Sequence, residues 1–138
     1  MKTTVSLVLG SGGARGYSHI GVIEELNRRG YEIISIAGSS MGALVGGIYA
    51  AGRLEEYTDW VTSLRRIDVF KLMDLTLRGE GTIRGERVLA RVLDIEGNPL
   101  IQDLPISYTA VVTDLTHQTE VCFQKGLSLE AMRALIAL

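Results

Sequence analysis

Twice within its first 51 residues the chain runs from a short apolar stretch through a glycine turn into a helical stretch. The first pass takes Val5–Leu9 into Gly10-Ser11-Gly12-Gly13 and then a helix over about Tyr17–Arg29. The second takes Ile33–Ala37 into Gly38-Ser39-Ser40-Met41-Gly42 and a small-residue helix that runs to Ala51. A β-α-β-α order with connections this short requires parallel strands and right-handed crossovers. The fold class is therefore α/β, a mostly parallel sheet flanked by helices. In the first helix Ile20, Val22, Ile23 and Leu26 are expected to share the buried face. Arg28 and Arg29 complement the dipole in its last turn, and Gly30 supplies the left-handed stop.

Beyond Gly52 the pattern is looser. Leu54–Leu64 reads as a helix, Ile67–Leu77 as helix or irregular cover, and Arg78-Gly79-Glu80-Gly81 as a break before a helix over Gly85–Leu93. Ile106–Val112 and Thr119–Phe123 read as a hairpin turning near Leu115–Gln118. Ser128 is placed to cap a last helix with Leu129, Met132, Leu135 and Ile136 inward. Ile33–Gly52 carries no charge for twenty positions, long enough to cross a bilayer, but a strand, a turn and a buried helix account for its five glycines better.

Composition narrows the classes. With 138 residues, 46% of them hydrophobic, the chain makes one domain with a real core, or a piece of one. A net charge of −2 gives no support for nucleic-acid binding. One cysteine, Cys122, excludes an intrachain disulfide and fits a reducing, cytoplasmic setting. Lying in a strand pattern, it is expected to be a buried structural thiol. Val5–Leu9 is too short for the core of a signal peptide.

Gly38-Ser39-Ser40-Met41-Gly42 is a G-x-S-x-G sequence, which a random chain of this composition would carry roughly once in eight. Its position between strand and helix carries more weight, because a sharp turn there lifts a serine Oγ clear of the sheet. The other glycine turn fails as a dinucleotide fingerprint. One frame requires glycine at Arg15, the other begins at Ser11, and no Gly-Lys-Ser/Thr follows for a phosphate loop. It does suit a developing negative charge. N–H groups of Gly12, Gly13 and Ala14, with Arg15 beside them, would converge near a helix N-terminus. Arg15 either braces the loop through backbone carbonyls or meets the substrate. In a parallel sheet both turns lie on the rim formed by the carboxyl ends of the strands, so Ser40 and this loop are expected to be neighbours.

Leu9-Gly10-Ser11-Gly12-Gly13-Ala14-Arg15-Gly16 with His19-Ile20-Gly21-Val22 resembles the oxyanion loop and first helix of the patatin-like phospholipases. Gly38-Ser39-Ser40-Met41-Gly42-Ala43 resembles their nucleophile elbow. Ala110-Val111-Val112-Thr113-Asp114-Leu115 and Leu129-Glu130-Ala131-Met132-Arg133-Ala134 resemble further segments of the bacterial members. Ser11 departs from the pattern, since those proteins usually carry another glycine there. The resemblance implies a serine-dependent lipid acyl hydrolase with Ser40 as nucleophile, a lipid or ester substrate, no cofactor, and a cytoplasmic protein with peripheral membrane contact.

It also implies a Ser–Asp dyad whose aspartate lies in an Asp-Gly-Gly or Asp-Gly-Ala motif after the last helix. None of Asp59, Asp68, Asp74, Asp94, Asp103 or Asp114 is followed by glycine. The expectation is a single incomplete domain over residues 1–138, inactive alone; the alternative is a noncatalytic interaction module of the same fold. His19 is expected to pack under the glycine loop and His117 to sit exposed in the hairpin turn. Asp114 is expected to hydrogen-bond that turn, and no cluster has metal-ligand spacing. An incomplete sheet would leave an edge or apolar face that favours self-association.

Overall fold

A computed structural model describes residues 1–68 and 81–136. Strands β1 (Thr4–Leu9), β2 (Glu32–Ser39), β3 (Ser107–Asp114) and β4 (Thr119–Phe123) form one sheet in the order β1-β2-β3-β4. The first three are parallel, and β4 returns antiparallel to β3 as a hairpin. The helices are α1 (Ser18–Arg28), α2 (Met41–Ala50), α3 (Leu54–Ser63), α4 (Gly81–Glu96) and α5 (Ser128–Ile136), with 3-10 turns at Gly13–Tyr17 and Ile101–Asp103. The α/β reading thus holds. α4 begins at Gly81, which the sequence had marked as part of a break, and the element expected over 67–77 lies, beyond residue 68, outside the described residues.

Each crossover advances the sheet one strand in the same direction, and right-handed connections of that kind stack their helices on one side. α2 accordingly packs on β1, β2 and β3, while α1, α3 and α5 pack on α2. The core lies between them: Leu9, Ile36, Tyr108 and Ala110 from the sheet, Leu44, Val45 and Ile48 from α2, and Ala131 and Met132 from α5. The other face of the sheet carries no helix among the described residues. Ser6, Ser107, Thr113 and Cys122 are exposed there, and Val8 is 85% exposed. Cys122 is therefore not the buried thiol expected from its strand pattern. It pairs with Val111 on the open face, while Phe123 pairs with Ala110 on the covered one.

The first helix follows its signals with one correction. Ile20 and Ile23 are buried, but Val22 is half exposed, because two steps from Ile20 turn a side chain about 200° round the axis. The helix ends as Gly30 predicts. Gly30, at φ 82°, donates to the Asn27 carbonyl and Tyr31 to that of Leu26, the two bonds of a Schellman stop.

At the start of α5 the capping is reassigned. Asn98 Oδ1 accepts the Leu129 N–H at 2.9 Å, and Ser128 Oγ instead donates to Glu96 Oε1 at 2.6 Å. The second Glu96 oxygen is buried without a partner. Burial holds this carboxyl above its usual range, despite the opposing Ser128 hydrogen bond. With the folded value raised, the stability Glu96 contributes is complete below the unfolded value and is lost as pH rises through the folded one. Glu96→Gln is therefore expected to raise the melting temperature at pH 8 and to change it little at pH 5, measured by thermal denaturation at both.

Candidate active site

Leu9 and Gly38 are register partners at the ends of β1 and β2, so the two glycine turns leave the sheet side by side. At the second turn Ser40 has φ 49° and ψ −124°, a conformation that L-residues rarely adopt. Such strain costs about 1–3 kcal/mol. The helix behind it outweighs that cost: Leu44, Val45 and Ile48 of α2 are buried, each contributing about 1.5–3 kcal/mol. Ser40 itself is exposed, and among the described residues its Oγ makes no hydrogen bond, not even as a cap for α2. Its carbonyl instead takes the N–H groups of Ala43 and Leu44. The hydroxyl stands at the N-terminus of a helix, held by no described residue.

Both glycines of the pentapeptide answer to close approach of backbone. A Cβ on Gly38 would lie 2.6 Å from Ala43 N, and one on Gly42 would enter the Leu9 and Gly10 carbonyls. The elbow is thus pressed against the start of the first glycine turn. A second link joins the hydroxyls of Ser11 and Ser39, 3.2 Å apart. Ser11, the departure from the family pattern, meets the residue next to the candidate nucleophile.

The first turn closes into its 3-10 helix through Arg15 N–H, which donates to the Gly12 carbonyl at 3.1 Å. The Arg15 backbone N–H is thus spent within the turn, and any part Arg15 plays falls to its side chain. Gly13 and Ala14 head the turn, and no hydrogen bond among the described residues takes their N–H groups or that of Gly12. The Arg15 side chain is exposed and meets no carbonyl among the described residues. Further along, the Tyr17 hydroxyl lies 3.0 Å from that of Tyr57 in α3. Burial pushes the Tyr57 phenol well above its ordinary value and keeps it neutral.

The donors at the start of α2 were not read from the residue pattern. Met41 and Gly42 open α2, so their N–H groups are orphan donors beside Ser40, a consequence of any strand-to-helix turn. The ring of His19, expected to pack under the glycine loop, reaches back from α1 to place Nε2 2.8 Å from the Gly10 carbonyl.

Among the described residues no titratable side chain hydrogen-bonds Ser40. Asp114 Oδ1 accepts the N–H groups of Thr116 and His117, and its Oδ2 lies 2.7 Å from His117 Nδ1. The His117 side chain leads in holding the Asp114 carboxyl below its usual range, and both oxygens belong to the hairpin turn. The Glu120 carboxylate beside Cys122 pushes that thiol up, away from a reactive thiolate.

The family model described as patatin-like phospholipase matches residues 7–125. A Mycobacterium tuberculosis protein named as an uncharacterized NTE family protein is 53% identical over 134 residues, covering 97% of this chain and 37% of its own length. Lysophospholipase NTE1 of Scheffersomyces stipitis is 35% identical over 142 residues, 97% of this chain but 9% of the fungal protein. A patatin-like phospholipase domain-containing protein of Caenorhabditis elegans is 36% identical over 120 residues, 81% of this chain and 9% of its own. The chain thus spans little more than a third of the mycobacterial relative and about a tenth of the others.

The interlock of the two turns has a stability consequence. Gly42→Ala is expected to cost about 1–3 kcal/mol through backbone overlap. Gly21→Ala, where an added Cβ meets nothing within 4 Å, is expected to gain about 0.5–1 kcal/mol of helix propensity. Urea midpoints of the two variants should move in opposite directions.

Proposed function

Because this chain belongs to the patatin-like phospholipase family, we propose that the whole protein is a serine-dependent lipid acyl hydrolase whose nucleophile is Ser40. The observation that supports this most is the strained elbow, where, among the described residues, the serine hydroxyl is unbonded beside a turn whose first N–H groups are unspent. Backbone strain of this kind persists where the surroundings over-determine it, and it clusters at reactive sites.

In the proposed reaction Ser40 Oγ attacks the ester carbonyl carbon and passes its proton to a carboxylate. The carbonyl oxygen gathers negative charge, which the N–H groups of Gly12, Gly13 and Ala14 and the N-terminus of α2 stabilise. One such donor is worth about 3–4 kcal/mol in well-studied hydrolases. Collapse of the intermediate expels the alcohol, which takes the proton, and leaves an acyl group on Ser40. Water then attacks that ester, releasing the fatty acid and restoring the serine. Arg15, exposed beside the turn, is placed to meet an anionic head group.

The base is assigned to an aspartate outside these 138 residues, as the family's Ser–Asp dyad implies. What favours this is that both oxygens of Asp114 are engaged in the hairpin. The fungal relative's name suggests a lysophospholipid or a similar single-chain ester as substrate. Such a substrate would bring the rim into peripheral contact with a membrane, and no described helix is long and apolar enough to cross one. The open sheet face would favour self-association of residues 1–138 taken alone.

The second reading, a noncatalytic module of the same fold, is favoured only by the lack of a base beside Ser40 among the described residues. A fluorophosphonate probe separates the two. The full-length protein is expected to label at Ser40 and to hydrolyse p-nitrophenyl esters, with Ser40→Ala lowering kcat at least about 10³-fold. Residues 1–138 alone are expected to show little or no turnover. A full-length protein that neither labels nor turns over would favour the module.

A further inference from the structure

We infer that His19 is a positioning residue that sets the conformation of the glycine turn, an assignment that rests on the hydrolase reading of the same site. Among the described residues its ring makes no hydrogen bond to Ser40. Its partner is the Gly10 carbonyl, 2.8 Å from Nε2. A carbonyl oxygen only accepts, so Nε2 carries the hydrogen.

The Gly10 carbonyl occupies a confined place. The His19 ring meets it, and so does Gly42, where an added Cβ would come within 2.5 Å of the same oxygen. Because the peptide unit is planar and trans, fixing this C=O also fixes the Ser11 N–H, which points the opposite way. The next two residues are Gly12 at φ 135° and Gly13 at φ 54°, which have no side chains to limit their motion. The turn is therefore held at its ends. Arg15 N–H closes one end on the Gly12 carbonyl, and His19 holds the other through Gly10. The contact between the Ser11 and Ser39 hydroxyls is exposed and competes with water.

His19 is itself well anchored. It sits in the first turn of α1, and its neighbour Ile20 is buried, so the ring is fixed to the core rather than to the turn it holds. Without the Nε2–H bond the Gly10 peptide can rotate, and the N–H groups of Gly12, Gly13 and Ala14 lose their common direction. Those donors act mainly on charge present in the transition state. Losing their alignment therefore lowers kcat more than it raises KM.

The test compares His19→Phe, which keeps a ring but donates nothing, with His19→Gln, whose amide N–H reaches the position of Nε2. In the full-length protein, hydrogen exchange of the Arg15 amide, which closes the turn on the Gly12 carbonyl, should quicken at least about tenfold in H19F. With a p-nitrophenyl ester, kcat should fall about 10–100-fold while KM stays within about twofold. H19Q should restore both exchange and kcat to within about threefold of the parent. If H19F does not fold, His19→Asn, whose shorter amide cannot reach Gly10, carries the same expectation. Unchanged exchange in the non-donating variant overturns the assignment, as does a loosened turn with unaltered kcat, or a glutamine that restores nothing. If the parent protein hydrolyses no ester, the hydrolase reading fails separately, and the exchange comparison alone decides what His19 holds.

Discussion

The site depends on a contact made without side chains, that of the Gly42 Cα against the carbonyls of Leu9 and Gly10. It brings the end of β1 and the start of α2 closer than any other residue at position 42 would allow. The candidate nucleophile and its candidate donors are on different β-α units, so their separation is set by how closely these backbones approach. Gly38 meets Gly42 and Ala43 in the same manner one turn earlier. Two absent Cβ atoms therefore fix a distance that hydrogen bonds alone would leave adjustable.

α2 makes that contact permanent. It is uncharged throughout, and every residue from Met41 to Ile48 is buried. Tyr108 of β3 ties it down by donating its hydroxyl to the Ala43 carbonyl at 2.7 Å. A helix lodged in this way cannot shift to relieve the strain at Ser40. The unfavourable backbone angle is thus carried by the burial of residues that take no part in chemistry, a division of labour common at strained sites.

Much of this was legible in the residues because it is local. The strand-turn-helix pattern at Val5–Leu9 and Ile33–Ala37 placed both turns on one rim, and Gly30 marked its stop, with no tertiary information. What escaped depended on partners distant in the chain. Cys122 reads as an inward strand residue until the register with Val111 shows which face it joins. Ser128 reads as a cap until Asn98, thirty-one residues before Leu129, takes that N–H. Val22 resembles its neighbours in hydrophobicity, but only the angle around α1 separates it from Ile20. The bond from His19 to Gly10 needs the folded turn to exist before it has any meaning.

The strand order also governs how such a sheet could grow. Among the described residues β1 and the antiparallel β4 are the two edges of the sheet, and β1 is the one against which a further strand could pair parallel. A strand added there by a right-handed crossover would reverse the direction of winding and send its helix across the bare face. Reversals of winding open a crevice at the carboxyl ends of the strands involved. Here that crevice would begin at Leu9, directly beside Gly12 and Gly13, so extending the fold would also build one wall of a binding cleft.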